Sequence, residues 1–188
     1  MTVDEKQEVK VEPHQFHLRP VRRIVTDTNA QGRSYIKSDG DTPNVLNQPG
    51  RPIAQVLWAT GEARAPGDEP APAGHGFGFH SHGGSLLRVA DFPPDSYYDQ
   101  DALRKFLDDN GVRDTNQPRH FWFHKTESLD YAIVLEGEIY AMMDEGEVLM
   151  KAGDILIQRA TNHSWSNRSD KPCRMAFVLL DLVPGEPL

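Results

Sequence analysis

Residues 121–167 read FWFHKTESLDYAIVLEGEIYAMMDEGEVLMKAGDILIQRATNHSWSN, and this stretch decides the fold. Short β-prone runs in it are separated by turn sequences at Glu136-Gly137, at Asp144-Glu145-Gly146 and at residues 151–154. Turns at such short, regular spacing are typical of an antiparallel sandwich or barrel and not of alternating β-α units. We therefore predict an all-β fold.

Polar residues recur at every second position of the strand that is entered at His124. Alternate side chains of a strand share one face, so one face carries His124, Thr126, Ser128 and Asp130 and continues into Ala132 and Val134. Tyr131 and Glu127 fall on the other face. A polar stripe on the inside of a barrel costs free energy unless it binds something. This pattern predicts a binding site where the barrel opens.

Further strands are predicted on both sides of this stretch. A hairpin is expected from Arg23–Thr26 and Ser34–Ile36, joined by a turn at residues 29–32. The other predicted strands are Ile53–Thr60, Leu86–Phe92 and Met175–Leu182. Gly61–Gly76 is rich in Gly, Pro and Ala without periodicity, which indicates a connecting loop or a lid.

One helix is predicted, at Asp99–Asn110. Leu103, Phe106 and Leu107 are spaced i, i+3 and i+4, acidic residues occupy the first turn, and Gly111 follows the last turn. We expect a surface helix that packs its apolar face on the barrel.

The 188 residues suffice for one domain. Within it we expect a flexible tail at residues 1–13, N-terminal strands with the loop and surface helix at residues 14–118, and the barrel motif region at residues 119–188. The net charge of −8 argues against nucleic acid and anionic membranes as partners. The single cysteine, Cys173, and a polar Met1–Lys10 without an apolar signal core indicate a reducing cytoplasm.

Two short motifs in this stretch resemble those of the cupin superfamily. The first cupin motif has two histidines one residue apart, then a glutamate, and a glycine seven residues after the glutamate. His124 takes the place of the first histidine, and Asp130, seven residues before Gly137, takes that of the glutamate. His163 and Asn167 match the histidine of the second motif and the asparagine four residues later. The resemblance covers about a third of the chain.

Four positions depart from the cupin pattern. Thr126 stands where the second histidine is expected, and Asp130 is an aspartate instead of a glutamate. In the second motif, Gln158 and Ala160 replace the usual proline and glycine. The histidine that is absent from the first motif is the departure that bears on metal binding.

The resemblance implies a cupin double-stranded β-helix, a jelly-roll-like barrel, here with an N-terminal strand extension and one surface helix. It also implies a divalent transition metal held by His124, Asp130 and His163. Two histidines and one carboxylate form the facial triad of non-heme iron(II), although zinc, manganese or nickel also suit these ligands. The alternative is a metal-free pocket in which His124 and Asp130 form a hydrogen-bonded pair.

Other histidines are candidates for a further ligand. His80 and His82 have the one-residue spacing of a strand face, but they lie in the glycine-rich stretch 76–84, where solvated histidines are common. His120 lies an even number of residues before His124, so the two side chains would share one face of a regular strand.

Residues that would bind or position a substrate are predicted around the polar stripe that begins at His124. Trp122 and Trp165 are candidates for the pocket wall, and Arg159 for a bidentate pair with a substrate carboxylate. Thr126 and Ser128 would position substrate or water, beside Asp130 as the catalytic carboxylate.

Three functions remain open at this point. The leading one is a metal-dependent lyase, decarboxylase, dehydratase or isomerase that acts on a small aromatic or oxo acid by Lewis-acid catalysis. The others are an iron(II) dioxygenase with the same triad and a non-catalytic small-ligand-binding cupin. We also expect a homodimer, since the edge of a hairpin around Val21–Ile36 needs covering.

Overall fold

The computed structural model describes residues 17–48, 50–63, 78–79, 81–116 and 119–182, and most of the regular secondary structure in these ranges is β-strand. The strands are β1 Arg22–Thr28, β2 Ser34–Asp41, β3 Asn44–Leu46, β4 Ile53–Ala59, β5 Ser85–Phe92, β6 Ser128–Glu136, β7 Glu138–Met143, β8 Glu147–Lys151, β9 Ile155–Arg159, β10 His163–Ser166 and β11 Cys173–Asp181. The helix α1 spans Gln100–Asp109. The predicted all-β fold with one helix is confirmed.

Two antiparallel sheets enclose the core. The larger has the strand order β3-β4-β5-β11-β6-β9, and the smaller has the order β10-β7-β8. Alternate residues of β6 and β11 are buried, as the period of two requires when one face of a sheet meets the core. Val134 and Met175 of the large sheet join Ile139, Met150 and Trp165 of the small one in one apolar cluster.

The large sheet takes strands from both halves of the chain. β5 pairs with β11 along its whole length, and β4 and β3 extend the sheet from there. The segment 14–118 therefore supplies part of the barrel itself, in addition to the hairpin and the helix. The short strands β3 and β10 were not predicted, because three or four residues give too little alternation to recognise.

The helix α1 begins and ends as the sequence predicts. The Asp99 side chain caps it by accepting hydrogen bonds from the backbone N–H groups of Asp101 and Ala102. Leu103 and Leu107 are fully buried, and Gly111 follows the helix with a positive φ of 65°. The loop expected at Gly61–Gly76 is described only over Gly61–Ala63, and the rest of it lies outside the described residues.

The predicted hairpin is present as β1 and β2, a separate two-stranded sheet. Ile24, Tyr35 and Ile36 on it are 52%, 46% and 58% exposed. Apolar side chains exposed to this extent are compatible with the expected homodimer, which stays a prediction. Within the described ranges, no helix is long and apolar enough to cross a membrane.

Asn167 ties the end of the second motif to its surroundings. Its side-chain amide donates to the carbonyl oxygens of Phe92 and Lys171, over 3.0 and 2.7 Å, and its Oδ1 accepts from the backbone N–H and the hydroxyl of Ser169. Asn167 is only 1% exposed. This residue therefore fastens the loop before β11 to the end of β5.

Asn167→Ala should lower the free energy of unfolding by about 2–4 kcal/mol, because several buried polar groups lose their partner at once. Urea denaturation followed by fluorescence measures this. The control is Asn116→Ala, at an exposed position, which should stay within about 0.5 kcal/mol of wild type. If Asn167→Ala lowers the free energy of unfolding no more than the control does, the structural role of Asn167 is contradicted.

Candidate functional site

A cavity of about 210 Å³ lies inside the barrel. Its wall is mostly apolar, and its aromatic residues are Phe79, Phe92, Phe106, Trp122, Trp165 and Phe177. The ionisable and hydroxyl side chains that reach it are Arg51, Arg88, His124, Thr126, Asp130 and His163. A mainly apolar cavity with a few convergent polar groups is the usual form of a small-molecule site.

His124 and His163 lie side by side in this cavity. Each donates its backbone N–H to the carbonyl oxygen of the other, over 2.9 and 3.0 Å, although His124 precedes β6 and His163 begins β10. The ring centroids are 4.2 Å apart. Trp122 and Trp165 flank the pair edge-on, at 5.4 Å from His124 and 5.8 Å from His163.

Hydrogen bonds fix the tautomer of both imidazoles. His124 Nδ1 lies 2.7 Å from the carbonyl oxygen of Trp122, and His163 Nδ1 lies 3.0 Å from that of Thr161. A carbonyl oxygen only accepts, so both Nδ1 atoms carry the proton and both Nε2 atoms keep a lone pair. Burial lowers the pKa of His124 to about 4 and that of His163 well below its usual value. Both rings are therefore neutral at pH 7.

Asp130 faces the same cavity from β6 and is 4% exposed. Its Oδ2 accepts a hydrogen bond from Gln158 Nε2 over 3.0 Å, while its Oδ1 is buried without a partner. Burial raises the pKa of this carboxyl to about 6, against smaller lowering effects of the nearby Ser128 hydroxyl and of the Arg88 charge. Gln158, at a departure from the cupin motif, thus holds the acid in place.

The donor chemistry of His124, His163 and Asp130 suits a divalent transition metal. Two imidazoles oriented by backbone carbonyls through Nδ1 are ready to ligate through Nε2, and the unpartnered Oδ1 of Asp130 is an anionic donor on the same cavity. In the part of the chain that the structure describes, however, no three His, Cys, Asp or Glu side chains lie close enough to hold one ion. The structure brings the two histidines together, and the three-ligand centre stays a prediction.

Not all of the other predicted site residues reach the cavity. Trp122, Trp165 and Thr126 line the cavity, whereas Ser128 does not reach it and is fully buried. The Ser128 hydroxyl donates to Thr126 Oγ1 over 2.9 Å, so it acts behind Thr126.

Arg159 does not line the cavity, and its predicted role in binding a substrate carboxylate is corrected. It is exposed at the end of β9, opposite Leu129 in the register, whereas its neighbour Gln158 points inward. Strand alternation puts residues 158 and 159 on opposite faces, and 158 takes the inner one.

The additional histidine candidates are placed elsewhere or not described. His120 packs between Ser164 and Asp95, with Nδ1 2.6 Å from the Ser164 hydroxyl and Nε2 3.2 Å from Asp95 Oδ2. His82 is exposed and lies 3.6 Å from an oxygen of Asp181. His80 lies outside the described residues.

Sequence reasoning missed Arg88, which reaches the cavity from the inner face of β5. The signal was present, because Leu86, Ala90 and Phe92 share its face and are buried, which makes Arg88 one cation in an apolar row. It also missed Phe79, Phe106 and Phe177, which come from elements far apart in the chain.

Comparisons with known proteins identify the family of this chain. The family model of the cupin domain, Cupin_2, matches residues 114–180. The chain is 30% identical to the cupin-domain-containing oxidoreductase virC of Hypocrea virens, over 89% of this chain and 79% of that protein. It is 32% identical to the cupin-domain-containing oxidoreductase fogC of Aspergillus ruber, over 87% of this chain and 74% of that protein.

More local and more distant similarities accompany these. A 65-residue stretch is 51% identical to the phomopsin biosynthesis cluster protein C' of Diaporthe leptostromiformis and covers 34% of each chain. Among solved structures, a cupin superfamily protein of Desulfitobacterium hafniense shares 9% identity at a TM-score of 0.40, over 73% of this chain and 84% of that one. Since two relatives are matched over most of their length and residues 114–180 fit the cupin domain, the chain belongs to the cupin superfamily.

Proposed function

We propose that this protein is an enzyme that binds a small organic substrate, aromatic or an oxo acid, inside the barrel and acts on it at His124, His163 and Asp130. One observation carries the proposal. Two neutral imidazoles with free Nε2 atoms and a carboxyl with an unpartnered oxygen share one aromatic cavity. Such groups are costly to bury unless they bind or react with something.

A divalent transition metal fits this proposal. His124 and His163 would hold the ion through Nε2, with Asp130 as the candidate third ligand. The bound ion would act as a Lewis acid that polarises a carbonyl or carboxylate, as in decarboxylation, dehydration or isomerisation.

The protein groups have their own tasks in this proposal. Where Asp130 does not ligate the ion, its pKa of about 6 lets it exchange a proton readily near neutral pH and suits it to general acid–base work; as a ligand it would be ionised. Thr126 accepts from Ser128, which leaves its own hydroxyl proton to position a substrate oxygen or water. The aromatic wall orients a flat substrate and excludes water.

A redox version of the same site is the second candidate, and the names of the relatives favour it. Both virC and fogC are described as cupin-domain-containing oxidoreductases. An iron(II) dioxygenase would use the same histidines and would consume oxygen together with the substrate. Oxygen uptake that depends on added iron(II) separates this version from the Lewis-acid version.

Elemental analysis of the purified, untagged protein tests the metal. Wild type and His82→Ala, which alters an exposed histidine away from the cavity, should each carry about one transition-metal ion per chain. His163→Ala and Asp130→Ala should lose it, because each removes a ligand. If wild type holds no metal even after reconstitution, the metal-dependent proposal fails and a non-catalytic binding role is favoured.

Asp130→Asn should stabilise the metal-free protein at neutral pH. The folded-state pKa of about 6 lies above the ordinary value of 3.8, so the wild type loses stability as the pH rises from about 4 to about 6, by up to about 3 kcal/mol. The amide cannot ionise and avoids this loss. Urea denaturation with EDTA should show the variant more stable at pH 7.5 and level with wild type near pH 4.

The control for this change is Asp170→Asn, at an exposed position, which should not alter the pH profile. A variant at Asp130 that is less stable than wild type at pH 7.5 would show that the carboxylate is well satisfied in the folded protein. The acid would then lack the free oxygen that the proposed function requires.

A further inference from the structure

Arg88 is the one cation on the apolar inner face of β5. Its neighbours in the register are Val56 on β4 and Phe177 on β11, and Phe177 also lines the cavity. No requirement of the fold calls for a charge here, since an apolar side chain at this position would continue the face.

The guanidinium group of Arg88 uses only some of its hydrogen-bond donors within the protein. Nη2 donates to the carbonyl oxygen of Gly78, while Nε is buried without a partner. Among the described residues, no carboxylate oxygen lies within 4.0 Å of the Arg88 guanidinium, the limit for an ion pair, and the acidic group that acts on it from further away is Asp130. Arg174, by contrast, forms two hydrogen bonds to the carboxylate of Asp91. The half-buried guanidinium thus lacks a contact ion pair and keeps an unused donor, which points to an anion that arrives from outside.

The charge around the cavity supports an anionic ligand. Arg51 and Arg88 both reach the cavity, and Asp130 is the one acidic side chain that does so among the described residues. The chain as a whole has a net charge of −8. A locally positive cavity in an acidic protein attracts an anion that the rest of the surface repels.

The walls of the cavity indicate which class of anion it would bind. Phe106 and Trp122 present rings that are nearly parallel, 7° apart in plane, and Arg51 lies over the Phe106 ring at 4.5 Å. Walls of this kind suit a flat aromatic body. The planar guanidinium offers adjacent N–H donors that match the two oxygens of a carboxylate.

We propose that Arg88 is the anion-binding residue of the cavity and that it recognises the carboxylate of a small aromatic acid. The inference rests on the proposed function only in placing the substrate in this cavity. Arg88 takes the role that the sequence assigned to Arg159, and it does so from inside the barrel.

Calorimetric titration with benzoate and with its neutral analogue benzamide tests the proposal on the full-length protein. Wild type should bind benzoate at least about 10-fold more tightly than benzamide, the range expected for charge-assisted hydrogen bonds. The preference should persist after treatment with EDTA, which excludes a bound metal ion as its source.

Variants assign the preference to one residue. Arg88→Met keeps an unbranched, flexible apolar stem and removes the guanidinium charge, so it should bind benzoate and benzamide equally. Arg88→Lys should keep part of the preference, and Arg159→Met, at an exposed position, should keep all of it. Thermal unfolding should show that Arg88→Met is at least as stable as wild type, because it removes a half-buried charge that has no contact ion pair.

Equal binding of the two probes by wild type would overturn the assignment to a carboxylate and would leave the cavity as a substrate site. Benzoate binding that is unchanged in Arg88→Met would also overturn it. Wild type that binds neither probe would overturn the inference as well, and metal content and activity would then test the proposed function separately.

Discussion

The site depends on one backbone contact, the reciprocal pair of hydrogen bonds between His124 and His163. These bonds join the segment before β6 in the large sheet to the first residue of β10 in the small sheet. Because both backbones are fixed there, the two imidazoles stand 4.2 Å apart, and the carbonyls of Trp122 and Thr161 set their tautomers. The contact thus aligns the two sheets and the donor atoms together.

Much of this arrangement was predictable from the period-two pattern. The alternation through His124, Thr126, Ser128 and Asp130 correctly gives the buried face of the strand, although regular pairing of β6 begins only at Ser128. The turns and the helix were predictable for the same kind of reason, since Gly, Asp and Asn have local conformational preferences that act without the rest of the fold. Local sequence preferences therefore suffice to predict most strands, the turns and the helix, and also the buried face of the strand that continues into β6.

The rest depends on contacts between distant parts of the chain, which spacing does not encode. Arg88 and Asp130 face the same cavity, close enough to interact electrostatically, only because β5 and β6 both pair with β11. Arg159 is a case in which neighbouring residues of one strand differ. Its side chain lies on the solvent side of β9, whereas the side chain of Gln158, one residue earlier, lies on the inner side. Whether Asp130 joins the histidines on one ion also depends on distances of this kind, and the described structure brings only the histidines together.

We infer that both histidines are neutral and keep a free Nε2 lone pair for a ligand. Two-dimensional ¹H–¹⁵N spectra of protein labelled at the histidine ring nitrogens measure this directly, with His124→Gln and His163→Gln variants to assign the signals. At pH 7, after EDTA treatment, the expected result is a protonated Nδ1 and an unprotonated Nε2 for both rings. An imidazolium, or a proton on Nε2 of either ring, would contradict it.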